Sequence, residues 1–68
     1  MNLDKKLNLK LKNEMDLISS WNYKNNAVYL GLINYDGAYK IFNKLKRKYK
    51  VYSYLTMKRY WLIIKEAK

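Results

Sequence analysis

With neither a cysteine nor a histidine among its 68 residues, this chain has no disulfide and no thiolate or imidazole zinc site to staple it together. A histidine-based catalytic triad is excluded for the same reason. A chain of this length lies near the lower limit at which apolar burial alone can hold a fold. Burial must therefore come from large side chains, and the sequence supplies ten Leu, eight Tyr, five Ile and two Trp. There is no proline, and only two glycines, with no repeat and no linker-like stretch, so residues 1–68 read as a single domain. A homodimer is compatible with the marginal stability expected of so small a core.

The pattern from Asp36 onward predicts the clearest helix. Asp36 is expected to cap it, with Gly37 as a permissive first residue. Ala38, Ile41, Phe42, Leu45 and Tyr49 follow at spacings of three and four, while Lys40, Asn43, Lys44 and Arg47 fall on the opposite face. Two strands, Val51 to Leu55 and Tyr60 to Ile64, flank the polar turn Thr56-Met57-Lys58-Arg59. A register with Leu55 opposite Tyr60 puts Val51, Ser53, Leu55, Tyr60, Leu62 and Ile64 on one face. Tyr52, Tyr54, Trp61 and Ile63 then share the other. Upstream, Ile18 to Tyr23 and Ala27 to Ile33 read as a hairpin about Asn25-Asn26, since asparagine tolerates the left-handed backbone of a tight turn. Trp21 and Tyr23 then share a core face with Val28, Leu30 and Leu32.

The first sixteen residues carry two patterns. Leu7, Leu9 and Leu11 alternate with Asn8, Lys10 and Lys12, as in a strand; Leu3, Leu7, Leu11 and Met15 recur every four residues, as in a helix. Preferring the strand gives an α+β class: a small antiparallel sheet with one amphipathic basic helix in β-β-β-α-β-β order. A helical N-terminal segment is the alternative.

Fifteen Lys and Arg stand against five Asp and Glu, a net charge of +10. Such an excess costs self-repulsion and favours polyanions: nucleic acid, DNA or RNA, first, and an acidic protein or an anionic membrane surface next. Thirteen lysines to two arginines, with abundant Asn, Tyr and Ile, is also what an AT-rich genome produces. Codon bias does not remove acids, however, so the shortage of Asp and Glu is the more informative half of the balance. The longest apolar run, residues 27–33, is far short of the roughly 20 residues that span a bilayer. No integral membrane association is expected. With no signal-type stretch near the N-terminus, a cytoplasmic location is expected. Membrane-surface binding ranks lower, because Phe42 and Leu45 on the basic helix are needed for the core.

The charge is unevenly placed. No acid occurs from Gly37 through Lys65, whereas nine basic residues do. Lys40, Lys44 and Arg47, at i, i+4 and i+7 with Lys48 beside them, are expected to form a strip suited to a row of phosphates. Lys58 and Arg59 sit at a hairpin tip. Tyr52, Tyr54 and Trp61, if not covered by the N-terminal segment or a dimer mate, offer a stacking platform for unpaired bases. The plainer interpretations are a solvated lysine face and buried strand aromatics. A solvated face usually mixes both signs.

The run Leu30-Gly31-Leu32-Ile33-Asn34-Tyr35-Asp36-Gly37 resembles the signature of LAGLIDADG homing endonucleases over eight of 68 residues, departing from it at Asn34 and Tyr35. The resemblance implies a metal-binding role for Asp36. That family builds a longer, saddle-shaped domain, and divalent-metal chemistry usually recruits several carboxylates; we read Asp36 as the helix cap. No phosphate-binding glycine loop, paired carboxylates or nucleophile–base pair is visible. The sequence therefore reads as a non-enzymatic nucleic-acid-binding module with no cofactor and no metal. The alternatives are a small phage-, virus- or plasmid-encoded effector that binds a larger protein, and a toxin-type ribonuclease working with Lys, Arg and Tyr.

Overall fold

The computed structural model describes residues 2–67. Its first hairpin is set by the paired asparagines: Asn25 and Asn26 take φ of 54° and 61°, the left-handed values a type I′ turn requires. They join β1 (Ile18–Lys24) to β2 (Ala27–Leu32) with Tyr23 opposite Val28 and Trp21 opposite Leu30, the face-sharing the sequence predicts. Strand β2 stops one residue short of the expected Ile33, whose side chain is exposed.

A helix, α2 (Tyr35–Leu45), follows. Its cap is Asn34, not Asp36. The Gly37 backbone amide donates to Asn34 Oδ1 at 2.8 Å, because Asn34 is extended while Asp36 is already inside the first turn. Asp36 there favours the helix dipole instead. A Cβ at Gly37 would lie 3.3 Å from the capping Asn34 Oδ1 and in ordinary contact with Leu17. The helix ends at Leu45, so Tyr49, expected on its apolar face, instead opens β3 (Tyr49–Leu55). Strand β4 (Tyr60–Glu66) completes the second hairpin with Leu55 opposite Tyr60, as the sequence predicts.

The expected N-terminal strand is a helix, α1 (Leu3–Lys10), followed by a 3-10 segment (Lys12–Leu17). Asn2 caps α1, accepting from the Lys5 amide at 2.9 Å. The four-residue leucine repeat prevails over the alternation because it buries Leu3, Leu7 and Leu11 together. A strand would have to bury Leu9, which is 66% exposed. The β-β-β-α-β-β order is thereby corrected to two helices and four strands, and the α+β class stands.

The four strands form one antiparallel sheet in the order β1-β2-β4-β3. Both helices lie on the same side of it. Val28, Leu30, Leu32, Leu62 and Ile64 from the sheet meet Leu3, Leu7, Leu11, Ala38, Ile41 and Leu45 in one core. Leu55, expected beneath the helix, is 44% exposed. It borders a groove of about 190 Å³ between α2 and β3, with Tyr35, Tyr39 and Phe42 on the helix side. Among the described residues no helix is long and apolar enough to cross a membrane.

Candidate nucleic-acid interface

Because side chains alternate along a strand, covering one face of the sheet with helices leaves the other face open. Register makes that open face a grid. Ser20, Gly31, Trp61 and Tyr54 form one row across the four strands, and Asn22, Tyr29, Ile63 and Tyr52 form the next. A third row, at the Asn25-Asn26 end, is Lys24, Ala27, Lys65 and Lys50.

Tyr52 and Tyr54 are 47% and 58% exposed, while Trp61, Tyr29 and Ile63 are half-buried. The helices leave all of them uncovered. Trp61 extends across Gly31: a Cβ there would meet the indole Cη2 at 3.3 Å. Beside this ring a cleft of about 170 Å³ is bordered by Ser19, Gly31, Lys58 and Arg59. At the opposite end of the face, a wider cleft of about 520 Å³ lies among Asn25, Asn26, Lys50, Tyr52, Lys65 and Glu66. Lys65 Nζ stands 5.9 Å from the Tyr52 ring centroid, within cation–π range.

Four of the five acids lie elsewhere, and Glu66 meets the face only at this cleft. Asp4 accepts from Trp21 Nε1 at 2.6 Å on the helix side of the sheet. The buried Glu14 accepts from Lys44 Nζ at 2.8 Å. Glu66 pairs with Lys6 of α1 at 2.9 Å, and its carboxylate raises the Lys6 pKa by hydrogen bonding and by charge. Asp16 and Asp36 sit in the helical layer. Among the described residues, then, no acid belongs to the open grid.

The sequence-predicted sites divide accordingly. Tyr52, Tyr54 and Trp61 come together on one accessible surface, with Lys58 and Arg59 at its end. The helix strip does not form as expected. Arg47 and Lys48 lie beyond the last turn of α2, and Lys44, though exposed, is held by Glu14, so that of the three only Lys40 is both within the helix and outside an ion pair among the described residues. Lys48 packs toward Lys10 instead; its charge, with desolvation, lowers the Lys10 pKa. Sequence reasoning missed Tyr29, Lys24, Lys50 and Lys65. Extending the Leu55–Tyr60 register outward by residue pairs already brings Lys50 opposite Lys65. The pairing of β2 with β4, which adds Tyr29, has no local sequence signal.

Asp36 is exposed at the start of α2. Among the described residues no three His, Cys, Asp or Glu side chains gather where they could hold a metal ion. The eight-residue run that resembles the endonuclease signature covers the end of β2 and the first turn of α2. No protein family, curated protein or solved structure matches this chain.

Proposed function

We propose that this protein is a non-catalytic nucleic-acid-binding module that uses the open face of its sheet, stacking bases on Tyr52, Tyr54 and Trp61. The observation that carries this reading is the composition of that face: aromatic rings flanked by Lys24, Lys50, Lys65, Lys58 and Arg59, with Glu66, already paired to Lys6, the one acid among the described residues at its margin. Rings displayed beside cations suit a ligand that is both planar and anionic, and each stacked base is worth about 1–3 kcal/mol. Lys40, Arg47 and Lys48 add positive potential on the helical side, which steers a polyanion toward the molecule.

Fluorescence anisotropy of labelled single-stranded DNA, duplex DNA and RNA, each at two salt concentrations, tests the proposal. Binding is expected to weaken steeply with salt, because each phosphate contact releases condensed counterions. Absence of binding to every probe at low salt would overturn it and move the reading to an acidic protein partner. Cleavage of RNA by the purified protein, with ribosomes supplied, would overturn the non-catalytic part.

A further inference from the structure

The third row of the open face is a line of lysines fixed by strand register. Lys24 is paired across from Ala27, Ala27 from Lys65, and Lys65 from Lys50. With neighbouring strands about 4.8 Å apart, the line spans roughly 14 Å. Like charges placed directly opposite one another cost a sheet stability. Lys50 and Lys65 bear that cost with Glu66, already paired to Lys6, as the only carboxylate among the described residues at the edge of the grid. A surface that only needs to be solvated mixes its signs; this one keeps its cations in a row. Ala27, small and buried, leaves the middle of the row low between longer side chains.

The next row inward is aromatic, with Tyr52 and Tyr29, and beyond it lie Trp61 and Tyr54. A ligand matched to this order carries its charge along one edge and its flat apolar faces along the other. An unpaired strand does so: its phosphates can follow the lysines while its bases turn onto the rings. A duplex cannot, because its bases are already stacked and paired, and it would set phosphates against aromatic side chains.

We infer that the nucleic acid is taken as a single strand, its phosphates crossing the sheet over Lys24, Lys65 and Lys50 and its unpaired bases lying on Tyr52 and Trp61. This rests on the nucleic-acid reading above and adds to it the strandedness of the ligand and its path. The test uses the full chain, an oligothymidylate of about ten nucleotides, within the range single-strand modules occupy, and a duplex of the same length. The single strand is expected to bind about tenfold tighter or more, the worth of one stacked base. In the triple variant K24Q/K50Q/K65Q the dependence of log affinity on log salt becomes shallower by about two, at about 0.7 per phosphate contact. The variant K5Q/K12Q, at two exposed lysines of the helical layer, keeps the wild-type slope. Tryptophan emission is quenched on binding, and Trp61→Phe, which leaves only Trp21 on the helix side, removes the quenching.

Equal or tighter duplex binding, or an unchanged slope in the triple variant, would overturn the strand path while leaving nucleic-acid binding in place. Failure of every probe to bind would instead remove the binding reading itself, and the path with it.

Discussion

Gly31 shows how a single residue shapes the open face. Its backbone lies in ordinary strand conformation, so its role is space rather than a left-handed turn. A methyl group there would approach Ser20 Oγ to 2.5 Å and Trp61 Cη2 to 3.3 Å. The serine hydroxyl can rotate away; the indole, flanked by strand neighbours, must lift. Gly31→Ala is therefore expected to destabilise by about 1–2 kcal/mol, as overpacking does, and to shift tryptophan emission. An unchanged melting temperature with an unchanged spectrum would show that Trp61 does not rest on this glycine. The cap of α2 is a second test at this scale. Asn34→Ala should cost about 1 kcal/mol, the usual worth of an N-cap side chain. Asp36→Ala should cost a few tenths, since Asp36 contributes only through the helix dipole. Thermal unfolding of the two variants separates them, and the reverse ranking would return the cap to Asp36.

Among the elements, the informative contest is at the N-terminus, where one sequence holds two periodicities. A helix buries Leu7 and exposes Leu9; a strand with Leu7, Leu9 and Leu11 inward buries all three. Leu7→Asp should then prevent stable folding, since an unpaired charge in the core costs several kcal/mol. Leu9→Asp should unfold with a urea midpoint near that of the wild type. Equal damage from both would restore the strand. The same contest explains what the sequence can and cannot reveal. Both hairpins were legible because Asn25-Asn26 and the Leu55–Tyr60 register are local, and period-two alternation then assigns Tyr52, Tyr54 and Trp61 to one face. The N-terminal helix was ambiguous because Leu7 and Leu11 satisfy both periods, and only the core contact of α1 with β2 decides between them. The basic strip on α2 was misread for a related reason. Its end depends on Tyr49 pairing with Glu66 in the sheet, and its charge depends on Glu14, 30 residues away in sequence from Lys44. Neither partner leaves a mark near Lys40, Lys44 or Arg47.

For the whole molecule, the asymmetry behind the net charge of +10 lies in the acids more than in the cations. Three of its five acids are engaged by Trp21, Lys44 and Lys6, and only the last of them, Glu66, borders the open face among the described residues. Folding therefore brings like charges together at two places, Lys50 with Lys65 and Lys10 with Lys48. Alkaline titration does not isolate either place. Lys10, its pKa lowered, is penalised in the folded state below that pKa, and the penalty lifts as pH rises toward the unfolded value of 10.5. Lys6, its pKa raised by Glu66, stabilises fully below 10.5 and loses that contribution as pH rises through its folded pKa. The two changes are opposite in sign and meet at 10.5, the Lys10 change falling below it and the Lys6 change above it. Substitution and salt separate them. Lys48→Gln and Lys50→Gln should each raise the melting temperature at low ionic strength, and the gain should vanish at 1 M NaCl, where the screening length falls to about 3 Å. In the wild type, NaCl should raise the melting temperature, and a short oligothymidylate should raise it further at the same ionic strength, because a ligand that binds only the folded state adds its binding free energy to stability. Lys50→Gln should reduce that second increment more than Lys48→Gln does, since Lys50 belongs to the open face and Lys48 to the helical side. An equal loss in both variants would mean that the strand is held by overall charge and not by the sheet.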